Sequence, residues 1–150
     1  MSDGDVSSLQ NLKQNLELNA ANLNGTSSNC EVIHLPWDST SKKFLQKFVP
    51  DIILGADVVY DPACLPDLVR VIAGLLGNDM PECLSEKRAP VAFIAAVVRN
   101  EGTFDYFLKV SKEENLIVAD VTATFRVFSF LPYLQTYDRD SVRLLEIRAI

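Results

Sequence analysis

The residues whose types and spacing could do chemistry fall in one stretch, Asp51-Ile-Ile-Leu-Gly-Ala-Asp-Val-Val-Tyr-Asp-Pro62. The segment Asp51 to Ala56, directly after Pro50, reads as a strand buried on both faces. It runs into Asp57, Tyr60 and Asp61, two acids and a phenol. In open α/β sheets the carboxyl ends of the strands face the ligand crevice, so these side chains stand where a bound molecule would be held. Aspartate also caps helices and builds turns, and for Asp61, directly before Pro62, that ordinary role is the stronger reading. A cap does not need a tyrosine three residues further on, so Asp57 stays a candidate.

The rest of the reactive inventory points away from other chemistries. Cys30, Cys64 and Cys83 are far apart and form no C-x-x-C, and His34 is the sole histidine, so no zinc site is expected. His34 lies in an apolar run without a partner signal, which argues against a Ser-His-Asp triad. A net charge of -6 weakens the case for a nucleic-acid partner, since a phosphate backbone needs a basic face. Met1 to Gln10 is polar and acidic rather than a signal peptide, and no apolar run approaches a membrane span. With no disulfide framework either, the expected compartment is the reducing cytosol, and the location is cytoplasmic. At 48% hydrophobic and 23% charged residues, the 150-residue chain has the composition and length of one globular domain.

The elements that must position these residues follow from periodicity. Leu9, Leu12, Leu16, Ala20 and Leu23 recur at helical steps and predict a helix over 7–23, with Ser7 and Gln10 as a capping box and Asn24-Gly25 as its stop. Residues 31–35 form a short strand ending at Pro36, and 51–56 a second. Leu65, Leu68, Val69, Ile72, Leu75 and Leu76 predict a helix over 65–76 closed by Gly77. After a polar loop over 78–90 come an apolar strand at 91–98 and a helix at 103–114. Strands at 116–122 and 142–148, joined by the aromatic segment 123–140, read as a long antiparallel hairpin. The expected class is α/β, a mostly parallel sheet with an antiparallel end.

Taken in order, several blocks make a resemblance. Asp57-Val-Val-Tyr60 looks like the D/E-x-x-Y/F signature after the fourth strand of the seven-stranded, Rossmann-like protein-lysine methyltransferases. Ser2-Asp3-Gly4-Asp5 followed by Leu12 to Asn19 resembles the end of their second strand and the next helix. Leu35-Pro36-Trp37 resembles the L-x-W closing the third strand, and Val97 to Phe104 the fifth strand and its turn. The Asp-Gly-Asp and Arg-Asn-Glu-x-Thr-Phe blocks agree best with the subgroup that methylates elongation factor 2. The motifs are individually loose and jointly fairly specific.

The resemblance implies S-adenosylmethionine as cofactor and a protein substrate, a translation elongation factor. It implies cofactor contacts from Asp3 to the ribose hydroxyls, from the Trp37 ring to the adenine and from the backbone at Ala56. Asp57 and Tyr60 would face the methyl group and the incoming lysine amine as the catalytic pair, with the carboxylate stabilising charge that builds on nitrogen. No metal is implied.

One feature departs from the family. Its first strand ends in a G-x-G loop that approaches the methionine part of the cofactor, and none of the six glycines here forms a G-x-G. Met1 falls where the second strand should end. The sequence therefore reads as a single partial domain, the C-terminal two-thirds, with strands 1 and 2 missing. From the family order 3-2-1-4-5-7-6, we expect Ile52 to Leu54 to become an unpaired apolar edge prone to self-association. Strand 3 would lose its place, and Asp3 would sit at a mobile terminus. The alternative function is a non-catalytic remnant that binds a partner through that edge. Nothing in the sequence sets the oligomeric state.

Overall fold

The structure is a computed structural model that describes residues 1–23, 30–77, 89–125 and 141–150. The Asn24-Gly25 stop, Cys83 and most of the 78–90 and 123–140 connections lie outside the described residues. The chain forms two compact units, Met1–Thr40 and Ser41–Ile150.

In the first unit, strand β1 (Ser2–Asp3) pairs in parallel with β2 (Ile33–His34), and helix α1 (Val6–Leu23) lies against both. The expected strand at 31–35 is thus shorter than the pattern suggested, but it keeps a partner. That corrects the expectation that it would lose its place, because Ser2 and Asp3 supply enough backbone to pair. Asp3 is not loose either. The Met1 ammonium donates to the Glu31 carbonyl at 2.7 Å, and the Ile33 and Leu35 N–H groups donate to Met1 and Asp3 carbonyls at 2.9 Å each. The helix is capped by Asp5 rather than Ser7. Asp5 Oδ2 accepts from the Ser8 N–H at 2.8 Å and from the Ser7 hydroxyl, so α1 begins at Val6. The Ser7 hydroxyl bond and the Ser8 bonds hold the Asp5 carboxyl down at about 2. Leu9 is buried on the inner face of α1, with Leu12 and Leu16 half-buried behind it.

The second unit holds a four-stranded mixed sheet in the order β3-β4-β6-β5. Its strands are β3 (Ile52–Ala56), β4 (Val91–Val97), β5 (Leu116–Asp120) and β6 (Val142–Ala149). The β3–β4 pair is parallel, while β4–β6 and β5–β6 are antiparallel, so the terminal hairpin is present as expected. The order matches the 4-5-7-6 end of the expected sheet. Parallel pairing is less dominant than expected, since β6 runs antiparallel to both of its neighbours.

Helix α2 (Lys42–Leu45) packs on α3 (Leu65–Leu76), and α3 packs on α4 (Glu101–Glu113). Helix α3 covers β4 and β6, and α4 covers β5; a short helix, α5 (Thr122–Phe125), follows β5. The core is this helix–sheet layer: Ala92, Ile94 and Ala96 of β4 and Leu145 and Ile147 of β6 meet Leu65, Val69, Ile72 and Phe107. Burial of apolar surface at roughly 25 cal/mol per Å² is what holds such a layer together.

Strand β3 corrects a second expectation. It is not buried on both faces, since Ile52 and Leu54 are 59% and 79% exposed. The register explains this. Ile53 and Gly55 pair with Ala92 and Ile94 on the helix side, which leaves Ile52, Leu54 and Ala56 on the other face. Among the described residues β3 is an edge strand with β4 as its partner, as the unpaired-edge expectation requires.

Candidate active site

The carboxyl end of β3 is shaped by two backbone requirements. A Cβ placed on Gly55 would lie 2.6 Å from Ile94 Cδ1 and 3.3 Å from Val58 Cγ2, so glycine lets Ile94 cross the strand closely. Two residues on, Asp57 takes φ 53, the left-handed region. Among residues with a side chain, Asp and Asn tolerate that region best, because a short polar group can bond locally. The Asp57 N–H donates to the Ala95 carbonyl at 2.8 Å, which extends the β3–β4 ladder by one bond as the chain turns. The turn buries Val59, at 5% exposure, and leaves Tyr60 58% exposed.

Asp57 is bound from the side by Arg99, just past the end of β4. The guanidinium donates from Nη1 to Oδ1 at 3.1 Å and from Nη2 to Oδ2 at 2.9 Å, a fork on both carboxylate oxygens. Both side chains are about half exposed, at 57% for Arg99 and 50% for Asp57. Beside them opens a cavity lined by Tyr60, Val97, Arg99, Asn100, Thr103 and Phe104, among others. Asn100 fixes one wall: its Oδ1 accepts from the Thr103 N–H at 3.3 Å as the N-cap of α4.

Asp61 behaves as its position before Pro62 suggested. Its Oδ1 accepts from the Ala63 N–H at 2.9 Å and its carbonyl from the Cys64 N–H at 3.0 Å, shaping the turn that leads into α3.

The other singled-out residues belong to the first unit. Asp3 ends β1, is partly buried, and its Oδ1 accepts from the Asp5 N–H at 2.8 Å. Trp37 follows β2 and is half-buried in the turn that Thr40 closes by donating its N–H to the Pro36 carbonyl at 3.1 Å. His34 is exposed, and its Nε2 lies 3.0 Å from the Gly4 carbonyl, to which the Nε2–H tautomer donates. The structure therefore brings Ala56, Asp57 and Tyr60 together at the end of β3, and sets Asp3 and Trp37 at the ends of β1 and β2.

The residue that sequence reasoning missed is Arg99. The resemblance gives it no role, although a guanidinium one residue past an apolar run, with a carboxylate past the strand before it, is a readable ion-pair signal. Among the described residues no group of three or more His, Cys, Asp or Glu could hold a metal ion. No described helix is long and apolar enough to cross a membrane.

The profile of a family described as lysine methyltransferase matches residues 1–113. A bovine protein-lysine N-methyltransferase, EEF2KMT, is 40% identical over 51% of this chain and 21% of its own length. The Saccharomyces cerevisiae protein-lysine N-methyltransferase EFM3 is 31% identical over 83% of the chain and 33% of its own length. An uncharacterised Dictyostelium discoideum protein is 30% identical over 93% of the chain and 42% of its own length. The chain thus spans between 21% and 42% of these three relatives. The match across residues 1–113 includes every residue singled out above, from Asp3 to Tyr60 and Arg99, and on it the chain belongs to the lysine methyltransferase family, related to EEF2KMT.

Proposed function

We propose that this chain forms part of an S-adenosylmethionine-dependent protein-lysine N-methyltransferase that acts in the cytosol on a translation elongation factor. The observation that carries the reading is Asp57 itself. A half-exposed carboxylate is held in a left-handed conformation at the carboxyl end of a parallel strand, next to an exposed Tyr60 and a cavity. Left-handed backbone at a non-glycine residue costs of order 1 kcal/mol and tends to be kept where function needs it.

When bound, S-adenosylmethionine supplies a methyl group on a sulfonium sulfur, already activated for transfer. The residues present suit its adenosine part. Trp37, half-buried, offers ring face to an adenine, and Asp3, held by its strand pairing, offers a carboxylate to ribose hydroxyls. The small side chain of Ala56, exposed, permits close approach at the end of β3. Nothing in the 150 residues supplies a G-x-G loop for the methionine part. We therefore propose that these residues by themselves, a partial seven-stranded sheet without strand 1 and with only the end of strand 2, bind the cofactor weakly.

In the transfer, the neutral lysine nitrogen gains positive charge as its bond to the methyl carbon forms and the carbon–sulfur bond breaks, the electron pair leaving with sulfur as a neutral thioether. The Asp57 carboxylate offsets that charge, and the Tyr60 ring orients the amine and narrows its path. Positioning supplies much of the acceleration, because the donor is already activated. The elongation-factor substrate is supported by the names of the EEF2KMT relatives alone, at 30–40% identity.

The test is methyl transfer to elongation factor 2, assayed with the 150-residue chain and with the same chain joined behind the N-terminal part of the yeast relative. Asp57→Asn should abolish transfer in any form that turns over. Trp37→Ala should weaken cofactor binding, by roughly 1–2 kcal/mol if ring stacking is lost. Normal turnover by the Asp57 variant would refute the assignment.

A second reading, a non-catalytic module that binds a partner by strand addition, is favoured by the exposed edge at Ile52 and Leu54. Saturable cofactor binding by the 150-residue chain would count against it.

A further inference from the structure

We propose that Arg99 is the positioning residue for Asp57, an inference that rests on the reading of Asp57 as the group facing the substrate amine. The pair contributes little to folding. Two side chains each about half exposed to water gain on the order of 0.2–1 kcal/mol from pairing, so fold stability alone is a weak reason for the contact. What the contact does supply is orientation. An aspartate at the end of an edge strand, with half its side chain in water, has several rotamers open to it. A planar fork on both oxygens selects one.

Arg99 is itself well placed to impose that choice. Its N–H donates to the Val97 carbonyl at 3.0 Å, the preceding Val98 N–H donates to Ser141 at 2.8 Å, and the following Asn100 caps α4. The Arg99 backbone is thus anchored between β4 and α4, and Asp57 is anchored to β4 by its own N–H to Ala95. Two adjoining strand ends are tied together through side chains where the backbone ladder stops. A carboxylate has about four lone-pair positions and the fork uses two, so the others remain for an amine. Arg99 can therefore stay in place while Asp57 acts on substrate.

The fork, and not only the charge, is what the inference requires, so Arg99→Lys is the decisive substitution. In the 150-residue chain, the Asp57 carboxyl-carbon and Tyr60 amide resonances should move in both Arg99→Lys and Arg99→Gln. They should stay in place in Arg70→Gln, which breaks the separate Arg70–Asp67 pair. In whichever form turns over in the transfer assay, Arg99→Lys should lower kcat about tenfold to a hundredfold, the scale of a misplaced reacting group, with KM for the protein substrate little changed. Methylguanidinium should restore part of the rate to Arg99→Ala and none to Asp57→Asn.

The possible failures separate. Full activity in Asp57→Asn would sink the functional reading, whatever Arg99 does. An inactive Asp57→Asn beside a fully active Arg99→Lys would sink the positioning role alone. If neither form turns over, the resonances decide, and an Asp57 signal unmoved in Arg99→Gln overturns the proposal.

Discussion

The left-handed backbone at Asp57 yields a prediction whose sign is the readout. Asp57→Gly and Asp57→Ala both remove the carboxylate and both break the fork to Arg99, so the difference between them isolates the backbone. In ordinary helix or strand backbone, alanine is the more stable of the two by roughly 0.5–1 kcal/mol, because glycine has more freedom to lose on folding. At φ 53 the order should reverse. A Cβ in the left-handed region costs about 1–2 kcal/mol, and glycine does not meet that cost. Setting the two terms against each other leaves the glycine variant ahead by up to about 1.5 kcal/mol. With a urea m-value of about 2 kcal/mol/M, that is a midpoint difference of up to about 0.75 M, measurable by circular dichroism at equal slopes. An alanine variant ahead of the glycine variant by the ordinary margin of about 0.5–1 kcal/mol would refute the reasoning. The same geometry makes Asp57→Asn the right probe of chemistry. Asparagine accepts left-handed backbone and gives up only an exposed ion pair, about 0.2–1 kcal/mol.

Four further outcomes are expected. Asn100→Ala removes the acceptor for the Thr103 N–H and should cost about 0.5–2 kcal/mol in urea unfolding, with fraying of the first turn of α4 seen by amide exchange. Ser111 is fully buried and its Oγ has no hydrogen-bond partner among the described residues, so Ser111→Ala should be neutral or stabilising by about 1 kcal/mol; a clear loss in thermal midpoint would reveal a bond. Asp5 titrates at about 2 instead of 3.8, so its capping contribution is complete above 3.8 and is lost as the pH falls through about 2; Asp5→Asn should remove that part of the acid-induced loss of helix in a pH titration by circular dichroism. Leu54 stands 79% exposed on the edge strand, and Leu54→Lys should lower any self-association measured by sedimentation, as charged residues do on natural sheet edges.

Much of the fold was legible because the signals are local. The apolar steps from Leu65 to Leu76 return as α3 over the same residues, and Val91 to Val97 is a strand because its alternate residues can be buried under helices. Boundaries moved where a side chain decided them. Asp5 starts α1 one residue before the predicted start, and Asn100 starts α4 two residues before it. Both are capping contacts that periodicity does not register. The burial of β3 was misread because an apolar run reports only that a face can be covered, whereas its position at the edge of a sheet is set by residues far away in sequence. At the candidate site, residue types and spacing were enough to single out Asp57 and Tyr60. The left-handed turn and the fork from Arg99, 42 residues later, are products of tertiary structure.

Each unit places its singled-out side chains by the same device, a parallel strand pair. Asp3 and Trp37 follow the ends of the parallel pair β1–β2, and Asp57 and Tyr60 follow the end of β3 in the parallel pair β3–β4. Within each pair the parallel neighbours end on the same side, so their loops start from the same edge, and α/β sheets place ligands along such an edge. Each strand supplies one or two side chains there, and none of them is a metal ligand set or a nucleophile with its base. The chemistry open to such side chains is holding: in the first unit a flat ring for a flat ring and a carboxylate for hydroxyls, in the second a carboxylate for a nitrogen gaining charge. A reaction whose donor is already activated asks for little else from the protein. That is why, in the proposed transfer, fixing the direction of Asp57 matters more than any gain in affinity.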